Sequence, residues 1–236
     1  MRTAAALLAT LLAATAAQAH DLWLEREGTG YELLYGHRHS GHAGHAGQET
    51  IEYRPETVKE LVCLDTAGKA IGQGATAAYP ARLAGECAAA YALLSSGYWT
   101  KTPYGTKNVP KDQVDVAVSA WLSFEGVKRI DQWGEALARP LTQDLEVVPL
   151  DNPLVLADGE KLRLLVTFRG QPVAGAVVAY DGKPRGETGA DGLVNVKVRH
   201  GGLQAIEATL RRPLDGTKAD EEVHTATLSF ALGGER

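Results

Sequence analysis

At 236 residues the chain is long enough for two modest domains, and its formal charge of −5 comes without the basic stripe that nucleic-acid partners require. It carries no HExxH helix, no GxSxG elbow and no GxxxxGK[ST] loop, which removes the commonest hydrolase and nucleotide-binding signatures. The acidic balance suits cationic partners better.

The chain opens with Met1-Arg2, a short positive start, followed by an apolar run from Thr3 to Ala17 that closes on Ala17-Gln18-Ala19. That pattern predicts a cleaved secretory signal peptide over residues 1–19. The run is shorter than the roughly 20 residues a membrane span needs, and no later segment is apolar enough to cross a bilayer. Cleavage after Ala19 would start the product at His20 and leave 23 basic against 29 acidic residues. A cut after Ala17 would instead leave histidine third; the small-residue register favours the first. Periplasmic export follows as the expectation.

Period-two alternation punctuated by Gly, Pro, Asp and Asn predicts an all-β protein with two β-sandwich-like domains. Asp21-Leu22-Trp23-Leu24 leads into a strand at Tyr31–Gly36. Further strands are expected at Thr57–Leu64 and Tyr91–Tyr98, with Val114–Phe124 open between strand and short helix. Prolines bracket residues 141–153, which suggests a seam, so the expected units are a β-rich domain over 20–148 and a sandwich over 149–236. In the second unit, strands are expected at Lys161–Phe168, Val173–Tyr180, Leu193–Val198, Leu203–Leu210 and Val223–Leu232. Cys63 and Cys87 fall in the exported part and are read as a disulfide, with paired thiolate ligands as the competing reading. Closing that loop would stabilise the fold by roughly 3 kcal/mol.

Five of the seven histidines gather near the expected mature start: His20, His37, His39, His42 and His45. Arg38, Ser40-Gly41 and Ala43-Gly44 separate the last four, so that segment can wrap an ion and has no apolar face to bury. Imidazole suits nickel, cobalt, copper and zinc, and such a cluster is a compositional metal signature. As first residue, His20 would offer its α-amine and ring nitrogen together. Asp21 and Glu25 are nearby carboxylates that could complete a shell. His224 reads as a surface histidine and His200 as a turn residue. Trp23, Trp99, Trp121 and Trp133 read as packing residues, and Lys101, Lys107 and Lys111 as a solvated loop.

His20-Asp21-Leu22-Trp23-Leu24, Gly36-His37 and Gly97-Tyr98-Trp99-Thr100-Lys101-Thr102 leading to Lys107-Asn108 resemble a bacterial family of periplasmic proteins. These are linked to cobalt or nickel ABC-type uptake systems and long catalogued as a domain of unknown function. The resemblance implies capture or delivery of nickel or cobalt beside an inner-membrane transporter. His20 and His37 match the family positions, whereas His39, His42 and His45 extend them in this chain. Gly170-Gln171-Pro172-Val173-Ala174-Gly175-Ala176 and the Asp191-Gly192 turn resemble a prealbumin-like or carboxypeptidase-regulatory sandwich, which speaks only to fold. Binding without catalysis is the expectation. A copper-handling protein, including a histidine-terminal copper oxidase, and a structural docking module are the alternatives.

Overall fold

The computed structural model describes residues 21–38 and 48–233. Strands dominate them, and the only helical segments among the described residues are four 3-10 turns of three or four residues. The first half contains β1 (Asp21–Glu27), β2 (Gly30–Arg38), β3 (Gln48–Thr50), β4 (Val58–Leu64) and β5 (Ala70–Gln73). It continues through β6 (Ala81–Leu83), β7 (Ala89–Thr102), β8 (Gly105–Lys107) and β9 (Ser119–Ile130). The second half adds β10 (Glu146–Pro149), β11 (Lys161–Phe168), β12 (Gln171–Pro172) and β13 (Val177–Tyr180). It ends with β14 (Lys183–Glu187), β15 (Leu193–Lys197), β16 (Gly202–Pro213) and β17 (Glu221–Leu232). The all-β expectation holds.

One nine-stranded sheet, in the order β14-β13-β16-β17-β9-β7-β4-β5 with β8 on β7, forms the middle layer. Two four-stranded sheets cover parts of its opposite faces: β1-β2-β3 with β6 on β2, and β10-β11-β12 with β15 on β11. Alternation along β4 shows why both faces are buried. Leu61 and Cys63 enter the core shared with Leu22, Leu24 and Leu33, while Val62 and Leu64 join the core shared with Leu162, Leu164 and Val166. Each fully buried leucine contributes on the order of 2 kcal/mol. Tyr53 fastens the smaller core, donating its hydroxyl to the Leu33 carbonyl at 2.7 Å and accepting from the Ala81 amide at 2.9 Å.

The strands of the last third form two facing layers, β10, β11, β12 and β15 against β13, β14, β16 and β17. Residues on the two sides of the expected seam share hydrogen-bonded sheets. β10 runs antiparallel to β11 from Glu146↔Thr167 to Pro149↔Leu164. β17 runs parallel to β9, from Glu221↔Trp121 to Phe230↔Ile130, and so joins both halves in the middle layer. The ambiguous segment Val114–Phe124 resolves into the start of the long strand β9 and the loop before it, with a 3-10 turn at Lys111–Gln113 lying just ahead of the segment. Its neighbours decide the matter, because β7 and β17 satisfy its backbone groups from both sides. Cys63 and Cys87 are joined as a disulfide, with their Cα atoms 5.2 Å apart.

Candidate functional site

Three stretches of chain meet at one end of the β1-β2-β3 sheet. Asp21, the first described residue, stands opposite Gly36 of β2, and Gly36 stands opposite Thr50 of β3 on its other side. His37 follows in β2, opposite Glu49, and is half-buried. The next register pair is Arg38 and Gln48. Gly36 is required here: its φ is +147°, and a Cβ would meet the Glu49 carbonyl oxygen at 2.0 Å. The Gly-His pair therefore has a backbone reason for its glycine.

Beneath this corner lies a group of carboxylates. The Glu125 carboxyl of β9 is raised to about 7, by burial first and then by the charges of Glu207 and Asp21, against a Ser123 hydroxyl that favours the charged form. Burial also raises Glu207 of β16, with Asp21 adding to it. Tyr35, two residues before His37, is raised as a phenol by burial and then by Glu125 and Asp21. Asp21, Glu125 and Glu207 thus share one negative field at the start of β1. None of the ion pairs among the described residues involves Glu125 or Glu207. Among the described residues, no three metal-ligating side chains close on a single point.

Of the histidines expected as ligands, only His37 is among the described residues; His20, His39, His42 and His45 lie outside them. Asp21 is brought to the corner, while Glu25 accepts from Trp23 Nε1 at 3.2 Å, four residues farther along β1. The surface reading of His224 is corrected: its side chain is buried, stacked on Phe124 and met edge-on by Phe168. That environment comes from strands 56 and 100 residues away, so the polar run Glu221-Glu222-Val223-His224 does not announce it. His200 lies in a bend, as read, and its Nε2 meets Asp181 at 2.8 Å. The Gly201 carbonyl first, and Asp181 after it, raise His200 above the usual imidazole range.

Trp23 is buried, Trp133 packs against the larger core, and Trp99 stands opposite Trp121 across β7 and β9. Lys101 and Lys107 are exposed, and Lys111 pairs with Asp220.

A family model described as a domain of unknown function, DUF4198, matches residues 17–212. The chain belongs to this family. The match covers the Asp21–Gly36–His37 corner and both Glu125 and Glu207 of this DUF4198 protein. No curated protein and no solved structure gives a significant match. The DUF4198 description carries no activity, metal or partner, so these rest on the chain's own chemistry. Among the described residues no helix is long and apolar enough to cross a membrane.

Sequence reasoning missed Glu125 and Glu207. Each occupies a strand position whose alternation reads as solvent-facing, and only the packing of β1 against β9 and β17 brings Asp21 near them. The available signal was a single acidic residue inside each apolar strand.

Proposed function

We propose that this DUF4198 protein is exported to the periplasm and there captures a divalent transition metal, nickel or cobalt, for an uptake system in the inner membrane. The observation that carries the reading is the meeting of Asp21, Gly36-His37 and the Arg38↔Gln48 pair at one corner. His20 is bonded to Asp21, and the segment carrying His39, His42 and His45 is bounded by Arg38 and Gln48. What supports the reading is that Asp21, Arg38 and Gln48, the described neighbours in sequence of the other candidate histidines, take register positions at or next to Gly36 and His37. His20, through its amine and ring, and His37 or His39 form the tighter site, and His42 and His45 raise the chance of capture. The carboxylates of Asp21, Glu125 and Glu207 contribute negative potential that favours a cation.

The test is calorimetric titration of the processed protein with nickel, cobalt, copper and zinc, beside a form with one extra residue before His20. Tight nickel or cobalt binding that the extra residue and His37→Ala each weaken by about tenfold or more supports the reading. Binding should also weaken as pH falls through the imidazole range near ~6.5, because protons compete for the same nitrogens. Tightest binding to copper would move the assignment to copper handling. Binding to none of the four ions would overturn metal capture and leave a docking module.

A further inference from the structure

The larger core contains one histidine outside the metal reading, and its surroundings are unusual. The ring of His224 in β17 lies parallel to that of Phe124, its register neighbour in β9, with centroids 4.7 Å apart and planes within 6°. Phe168, at the end of β11, meets the same ring edge-on at 4.7 Å. β11 belongs to the small sheet, so His224 joins that sheet to the middle layer through an aromatic contact. The side chain is 7% exposed, and Nδ1 is buried with no hydrogen-bond partner among the described residues. Nε2 faces Glu222 Oε2 at 3.4 Å, too long for a strong hydrogen bond.

Phe168 is already occupied by cations. The Arg212 guanidinium of β16 lies 4.9 Å from its centroid and that of Arg169 lies 5.3 Å away. A proton on His224 would add a third positive group beside this ring and place a buried N–H where no acceptor stands. Glu222 on its own strand and Asp144 in the segment before β10 pull the other way, towards the charged form, while Arg212 opposes it. Lys128, also on β9, is bound to Glu146 at 2.5 Å. Burial outweighs the two carboxylates and depresses the imidazole below its ordinary range.

We propose that His224 is a proton-sensitive clasp between the two sheets: neutral, it holds Phe168 against the middle layer, and protonated, it releases the Phe168 end of β11. The direction follows from linkage. A depressed imidazole leaves the contact intact above the unfolded value of ~6.5 and weakens it as pH falls below that. What opens is local. The Arg169 amide, bonded to the Gln143 carbonyl at 2.9 Å, and the Phe168↔Gln171 turn into β12 sit directly at the clasp. β13 and the disulfide-linked β4 lie outside it.

The experiment is amide hydrogen exchange of the whole protein at about pH 7.5 and about pH 5, corrected for intrinsic rates, in wild type and His224→Leu. The expected result is a severalfold loss of protection over Phe168–Gln171 on acidification in wild type, with β13 unchanged and the variant insensitive to pH. Equal losses in both proteins, or none in wild type, would overturn the clasp. If His224→Leu does not fold, the wild-type imidazole resonances decide: a midpoint below ~6.5 that coincides with opening at Phe168 supports it, and any other midpoint refutes it.

Discussion

Phe124 and Glu125 are neighbours on β9, yet they face opposite sides of the middle sheet, and the two sides treat a titratable group withdrawn from water, His224 buried and Glu125 half-buried, in opposite ways. On the Phe124 side, burial depresses His224 and keeps it neutral among aromatic rings. On the Glu125 side, burial raises a carboxyl to about 7 in the company of two more carboxylates. One physical cost, removal of a charge from water, therefore moves an acid and a base in opposite directions. Where the Phe124 side does hold charge, it holds it as a pair: Lys128 and Glu146 are 3% and 1% exposed, and Glu146 also accepts from the Leu141 and Thr142 amides. The Glu125 side also holds a pair, Arg129 with Asp131 at 3.1 Å, yet none of the ion pairs among the described residues includes Glu125 or Glu207.

The largest effect is expected from Lys128→Met. If the Phe124 side tolerates charge only when paired, removing the ammonium leaves Glu146 uncompensated and should cost about 3–5 kcal/mol in urea unfolding. A loss below about 1 kcal/mol would mean that the site is wetter than it looks.

The two cores also differ in how they are held. The Cys63–Cys87 bond lies in the core beneath the β1–β2 sheet, while the larger core beside His224 has no cysteine. Replacing both cysteines by alanine should lower stability by roughly 3 kcal/mol, with hydrogen exchange rising first in β4 and β7. Faster exchange in β11 and β16 instead would show that the cores do not open separately.

The smallest effect separates the faces by pH. Glu125 is raised from 4.5 to about 7, so its folded form binds a proton more tightly than its unfolded form. That contribution is fully present below 4.5 and is lost as pH rises towards 7. Glu125→Gln should therefore remove a downward slope over that interval and leave the variant more stable than wild type near pH 8, by up to roughly 3 kcal/mol before screening by water reduces it. Denaturant midpoints measured at intervals from about pH 5 to about pH 8 check it. Parallel wild-type and variant curves would remove Glu125 as the source of the slope. The slope from His224 has the opposite sign, so the two substitutions should tilt the profile in opposite directions.

Much of the strand pattern was legible because alternation is local. Lys161–Phe168 is seen as read, and Leu193–Val198 and Val223–Leu232 differ only at their ends. The Asp181-Gly182 turn is also seen, although the strand beyond it, Lys183–Glu187, was not anticipated: with a proline and a glycine, it reads as loop until β13 pairs with it. The candidate site was legible only as composition. His37 stands out by its neighbours in sequence, whereas Glu125 and Glu207 acquire meaning through Asp21, about 100 and 190 residues away along the chain.

By itself the sequence determined the all-β class and the Cys63–Cys87 pairing as the favoured reading, since each depends on residue type and spacing. Tertiary structure decided the rest. The parallel register of β17 on β9 brought strands from both expected units into one middle sheet. It also stacked His224 on Phe124, and the packing of β1 across that sheet set Asp21 near Glu125. These outcomes depend on which distant strands become neighbours, and pairing across so many residues is fixed by the burial of whole faces, which no short window of sequence contains.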